Sequence, residues 1–236
     1  MENLEEALSY LEINENDDDI SYVKIGENSK NIVVSFSSAY VDHYERKRSL
    51  LEPKFIEKKN YDVLYIKNQF SWYLGGLKGI GKNITHTISF LKKEISNYDN
   101  KLFTGFSMGG YASLLFGNIC NVTATVSIEP QTNLDFLMHC KSPDLSKIKQ
   151  RKRDCIKTYD KYKNIKNYIN DNVENFVYFE GDENIMKTDR GLKTKLDLAY
   201  HGDVHYENIK EYNNVRRVEE RTHVKPLILS LIENGV

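Results

Sequence analysis

Apolar positions along the chain fall into two alternating patterns. Short stretches that are apolar almost throughout, at 31–38, 61–67, 124–130 and 175–180, have the length and the Val, Ile, Phe and Tyr content of strands buried on both faces. Between them, apolar residues recur three and four positions apart: Ile84, Ile88, Leu91 and Ile95 within 83–97, and Tyr111, Leu114, Leu115 and Ile119 after residue 107. These spacings predict amphipathic or buried helices. Further expectations are an edge strand at 21–25, short helices at 4–11 and 44–56, a helix at 190–200, a last strand at 204–212 and a closing helix at 227–232. Strands and helices thus alternate from residue 21 to the end. That order defines the α/β class, with a mainly parallel central sheet flanked by helices on both faces. A length of 236 residues suits one domain over 1–236. Residues 133–172 show no strand pattern and are helical in composition, so they are expected to form a small helical cap inserted within that domain.

One stretch carries chemistry. Leu102 and Phe103 open a short apolar strand, Gly105-Phe106-Ser107-Met108-Gly109 forms a turn, and the Tyr111–Ile119 helix follows. A G-x-S-x-G between a strand and a helix is the nucleophile elbow of the α/β-hydrolase fold. Glycines on either side of the serine let strand and helix pass closely. The serine hydroxyl then projects from the top of the sheet, and the Met108 amide becomes a candidate oxyanion donor. The end of the 31–38 strand, at Ser37 and Ser38, is where this fold places its second oxyanion amide.

Serine needs a base, and the base needs an acid to orient it. In this fold the order is Ser, Asp or Glu, His. His223 precedes the expected closing helix and is the first candidate base. His205 is an alternative, and His201 also lies too early for the slot. Asp189 and Asp182 follow the 175–180 strand and are the candidate acids, Asp189 first and Glu183 behind both. Trp72 and Tyr73 in the loop after residue 67, and Gln131 at the C-terminal edge after the 124–130 strand, are candidate substrate-binding residues. Ligands of open α/β sheets bind at that edge. The bland alternative for the aromatic pair is packing.

Charge narrows the partners. With 33 basic and 34 acidic residues, the balance argues against a general nucleic-acid binder. No run of about 18 apolar residues predicts a transmembrane helix. The acidic start Met1-Glu-Asn-Leu-Glu-Glu lacks the features of a secretory signal, so a cytoplasmic location is expected. The 3 cysteines, Cys120, Cys140 and Cys155, lie outside any metal-ligand spacing and are expected to be reduced thiols. Two glycosylation sequons, at Asn83 and Asn121, mean little without a signal peptide. Lys147, Lys149, Arg151, Lys152 and Arg153 in the expected cap would favour an anionic substrate. Gly76-Leu-Lys-Gly-Ile-Gly81-Lys82-Asn83 approaches a phosphate loop in all but its last position, where Asn83 stands in place of the magnesium-holding hydroxyl.

Ser107-Met-Gly-Gly-Tyr-Ala-Ser-Leu-Leu-Phe-Gly117, the strand ending Phe36-Ser37-Ser38, the Ser71-Trp72-Tyr73 loop and Glu129-Pro130-Gln131-Thr132 together resemble small α/β-hydrolase-like proteins of bacterial surface-polysaccharide loci. One branch comprises capsular polysaccharide O-acetyltransferases with a Ser-Asp-His triad. The resemblance covers most of 30–235 in layout. It implies Ser107 as the acetyl-carrying nucleophile, His223 as its base, and the Met108 and Ser37 or Ser38 amides as the oxyanion hole. Its acid position falls on Asn184, which cannot serve, so Asp182 and Asp189 both remain candidates. The implied activity is O-acetyl transfer to a glycan, or hydrolysis of a small-molecule ester. Acetyl-CoA is a possible donor, with no tightly bound cofactor and no metal. The rival readings are a catalytically inactive accessory or glycan-binding protein, and a nucleotide-binding protein.

Overall fold

The computed structural model describes residues 20–23, 29–38, 61–67, 73–77, 79–81, 83–135, 160–179 and 202–234. In chain order these form β1 (Ile20–Val23), β2 (Asn31–Phe36), β3 (Asp62–Ile66), α1 (Ile84–Glu94), β4 (Asn100–Phe106), α2 (Met108–Cys120), β5 (Ala124–Ile128), a 3-10 turn (Ile165–Tyr168), β6 (Glu174–Tyr178), α3 (Gly202–Glu207), β7 (Val215–Val218) and α4 (Arg221–Asn234). The strands make a 7-stranded sheet in the order β1-β3-β2-β4-β5-β6-β7. β1 is antiparallel at one edge, and every other pair is parallel.

The two faces of the sheet fill two cores. Successive side chains of a strand point to opposite faces. In β2, Ile32, Val34 and Phe36 therefore join the core under α1 and α2, while Val33 joins the core under α4. β5 divides likewise: Ala124, Val126 and Ile128 pack toward Val224, Ile228, Leu231 and Ile232 of α4. Its Thr125 and Ser127 face the other way. Ser127 meets Ser113 of α2 at 2.6 Å, and Thr125 Oγ1 donates to Asn175 Oδ1 at 2.8 Å.

α2 is buried along almost its whole length. The sheet covers one side of it. The 160–168 segment covers another, where Tyr111 donates to the Tyr162 carbonyl at 2.8 Å. Gly109, Gly110 and Gly117 each cost this helix about 1 kcal/mol of propensity. Burial of Leu114, Leu115 and Phe116, at about 1.5–3 kcal/mol each, outweighs that cost. Packing, not propensity, makes this helix. Gly117 is required where it lies, because a Cβ there would fall 2.3 Å from Thr125 Cγ2.

The structure revises the C-terminal part of the sequence reading. Residues 204–212 are not a strand. His205 and Ile209 are both buried and stand four apart, the spacing of a helix face, and α3 and a following turn occupy this region. The last strand is instead Val215–Val218, whose two arginines hid it. Arg216 pairs with Glu174 at 3.1 Å and Arg217 lies 5.3 Å over the Tyr206 ring. The closing helix also begins earlier than expected, at Arg221, and runs through Pro226. Among the described residues of the near phosphate loop no nucleotide cradle forms. β3 ends at Ile66, Leu77 and Gly81 pair in an isolated bridge, and Asn83 Oδ1 caps α1 by accepting from the His86 amide at 3.1 Å. The expected helices at 4–11, 44–56 and 190–200 lie outside the described residues. So do the basic positions 147–153.

Candidate active site

The turn between β4 and α2 is forced into shape by contacts between backbones. A Cβ on Gly105 would lie 2.3 Å from the Gly109 carbonyl oxygen, and one on Gly109 would lie 2.2 Å from that of Phe36. A Cβ on Gly110 would meet the Ile128 oxygen at 2.8 Å. Ser107 is left at φ 55°, ψ −115°, a conformation costly for any residue with a Cβ. Two hydrogen bonds hold it there: Ser107 N donates to Ile128 O at 2.8 Å, and Tyr111 N donates to Ser107 O at 3.0 Å. The side chain stays partly exposed at the C-terminal edge of the sheet, beside the exposed ring of Phe106. Met108 opens α2 directly after it, so its amide lies at a helix N-terminus next to the serine.

The other expected site residues separate into those the structure brings to Ser107 and those it does not. Gln131 is brought in. Its Nε2 donates to Ser107 Oγ at 3.1 Å, and the side chain is buried at 4% exposure. The expectation of a substrate-facing Gln131 thus gives way to a contact with the nucleophile itself. The signal lay in topology: β5 is the parallel neighbour of β4, so the residues after both strands end side by side.

Ser37 is withdrawn as an oxyanion donor. Its amide continues the sheet ladder and donates to Ile66 O at 2.9 Å. Tyr73 is withdrawn as a substrate contact. It is wholly buried, with its hydroxyl donating to Ser37 O at 2.8 Å and Ile66 O at 3.2 Å, and its ring set edge-on to Phe36 at 5.5 Å. Tyr73 is a pin that ties the ends of β2 and β3 together under the elbow. Trp72, Asp182, Glu183 and Asp189 lie outside the described residues.

Neither His205 nor His223 hydrogen-bonds Ser107. His205 is buried in α3, where its Nδ1 accepts from the Thr132 amide at 3.0 Å. The ring is therefore neutral, with its proton on Nε2, and it serves the backbone after β5. His223 lies in the first turn of α4, exposed, with Nε2 3.8 Å from Glu220 Oε2. In a Ser-His-Asp arrangement the acid takes Nδ1 and Nε2 faces the serine. Here Nε2 faces the Glu220 carboxylate instead. Cys120, at the far end of α2, is no rival nucleophile: burial pushes its thiol up to about 12. Among the described residues there is no cluster of His, Cys, Asp and Glu able to hold a metal ion, and no helix long and apolar enough to cross a membrane.

A largely parallel sheet, a strained serine between its central strand and a buried helix, and a closing helix on the opposite face define the α/β-hydrolase fold. Solved structures agree. The capsule O-acetyltransferase of Neisseria meningitidis serogroup A is similar over 92% of this chain and 92% of its own, at TM-score 0.55 and 15% identity. A histidine-to-alanine variant of that enzyme in complex with CoA is similar over 91% of this chain and 92% of its own, at TM-score 0.55 and 15% identity. FphF, a fluorophosphonate-binding serine hydrolase of Staphylococcus aureus, is similar over 91% of this chain and 92% of its own, at TM-score 0.53 and 10% identity. No protein-family model matches the chain, and no curated protein matches it in sequence.

Proposed function

We propose that this chain is a serine acyl-transfer enzyme that works through an acyl-enzyme on Ser107. It acts as an O-acetyltransferase or esterase on a glycan or a small ester, with a surface polysaccharide as the acceptor class. The observation that carries this reading is Ser107 itself, strained, partly exposed and closed in by glycines that admit no Cβ. In the proposed reaction Ser107 Oγ attacks the acyl carbonyl and gives its proton to His223 Nε2. The Met108 amide, with that of Ser38, stabilises the tetrahedral oxyanion; a donor of this kind is worth about 10²–10³ in rate. The leaving group departs with the proton from His223. Water or a sugar hydroxyl then takes the acyl group by the same steps in reverse order. Asp189 or Asp182, in the segment after β6, supplies the acid. The CoA complex of the Neisseria enzyme supports acetyl-CoA as donor, and the basic run at 147–153 suits its phosphates or an anionic glycan.

This reading requires His223 to move. β4 and β7 are three strand steps apart, about 14 Å at the usual spacing of paired strands. The chain from Val218 to His223 spans about 17 Å when extended, but far less with its last residues helical at about 1.5 Å rise each. In the proposed reaction the first turn of α4 loosens to close the site. Pro226 favours this, because it has no N–H to bond Thr222 O and so separates that turn from the rest of the helix. The opposing reading, an inactive hydrolase-fold binding protein, is favoured by the observed turn of His223 toward Glu220.

A fluorophosphonate probe decides between them. Covalent labelling of the wild type, lost in Ser107→Ala, is expected from the enzyme. An unlabelled wild type, or equal labelling of Ser107→Ala, establishes the binding protein.

A further inference from the structure

One part-buried contact on the nucleophile has no role in the proposed reaction. Ser107 Oγ accepts a hydrogen bond from Gln131 Nε2, and among the described residues it makes no other. We propose that Gln131 is a positioning residue for Ser107: its side-chain N–H occupies one acceptor site of Oγ and turns the hydroxyl proton away, toward the incoming base. The proposal rests on the Ser107 reading given above.

The geometry gives Gln131 little freedom to do anything else. Glu129, at φ 49°, turns the chain sharply after β5, and its amide donates to Tyr178 O at 2.8 Å. Pro130 lies against the elbow, its Cα 3.1 Å from where a Cβ on Gly110 would stand. On the other side, Thr132 is fully buried and held from three directions. Its amide donates to His205 Nδ1 at 3.0 Å and its hydroxyl to His205 O at 2.9 Å. Its carbonyl accepts from the Ile165 amide at 2.9 Å, and Asn208 Nδ2 reaches its Oγ1 at 3.2 Å. A residue between two such anchors presents its side chain in one place. His205 acts here through Thr132, as the anchor of the segment.

The chemical consequence follows from the hydroxyl's inventory of one donor and two acceptor sites. With one acceptor site filled, the remaining lone pair and the proton share the open side of the serine. A donor on Oγ also stabilises the negative charge that gathers there as the proton leaves. Once Oγ becomes an ester oxygen, a poorer acceptor, the amide is released toward the acceptor side of the site.

Fluorophosphonate labelling rates across pH test this in the full chain. Gln131→Met keeps the length and loses the donor, and its labelling is expected to slow about tenfold, one ordinary hydrogen bond's worth. Gln131→Glu presents a carboxylate that accepts the serine proton and competes with the base, so labelling at pH 8 is expected to fall about 10²-fold. Its rate relative to wild type should climb as pH drops below about 5, where the carboxyl protonates and can donate again. A purely structural role would not produce that added limb. Thermal melts confirm folding, and the Met variant carries the test if the Glu variant fails to fold. His205→Asn, whose Oδ1 can take the Thr132 amide proton, should label faster than His205→Phe. Labelling of both Gln131 variants at the wild-type rate, or equal loss in both with a wild-type pH profile, overturns this role alone. An unlabelled wild type overturns the enzyme reading and this role with it.

Discussion

The turn carrying Ser107 and the turn carrying His223 are both short connections from a strand to a helix, yet they are held in different ways. The serine turn is locked by backbone against backbone, with Gly105, Gly109 and Gly110 each within contact of a carbonyl and α2 buried behind it. The histidine turn is exposed and is tied to Glu220 by His223 Nε2 at 3.8 Å, by Thr222 Oγ1 at 3.1 Å and by the His223 amide at 3.0 Å, with a proline inside the helix that follows. Close packing leaves the first turn one conformation. The second is exposed, the kind of segment from which moving parts of catalytic sites are usually drawn. In the proposed enzyme this contrast would pair a rigid nucleophile with a base carried by the looser turn.

The sharpest way to break that contrast is His223→Ala. If the mobile turn delivers the base, labelling and ester turnover should fall roughly 10⁴-fold while the melting temperature changes little, because the side chain is exposed. Wild-type rates in this variant would mean that the turn carries no base.

Gly109→Ala addresses the rigid half. Its Cβ would fall 2.2 Å from Phe36 O, so a loss of about 3 kcal/mol or more in urea unfolding is expected. An equally stable variant would show that the elbow can relax and is not held by steric necessity.

Tyr73→Phe tests the pin below the elbow. Loss of the hydroxyl bonds to Ser37 O and Ile66 O should cost about 1 kcal/mol. Labelling should slow modestly as the end of β2 loosens.

The smallest effect is alkaline. Cys120, at the end of α2, has its thiol pushed up to about 12 from an ordinary value of 9.0 by burial. A folded value above the unfolded one means the unfolded chain loses its proton first. Stability from this group is therefore complete below pH 9 and declines as pH rises from 9 toward 12. Urea midpoints of Cys120→Ala should fall less between pH 8 and pH 10 than those of the wild type.

Much of this was legible in residues 31–38, 61–67, 101–117 and 124–130, because buried parallel strands and the glycine elbow impose local constraints that leave local signatures. β7 was not legible. Val215-Arg-Arg-Val218 is polar, and its arginines find Glu174 and the Tyr206 ring only once the chain is folded. α3 was misread because Val204, His205 and Tyr206 favour a strand locally, while the contacts of His205 with Thr132 are far apart in sequence. Tyr73 likewise had the composition of a binding wall, and only the closeness of two strand ends made it a pin.

By itself the sequence determined the alternation of strands and helices and marked, through its glycine pattern, the place where a serine stands in a strained turn, although the backbones of Phe36 and Ile128 that exclude a Cβ there come from other strands. The tertiary structure decided what surrounds that serine. Strand order brings Gln131 to it, with Thr132 and His205 anchoring that segment behind, while His223 lies in the first turn of α4 with its Nε2 toward Glu220. Those outcomes depend on which segments pack together, and no local pattern encodes that.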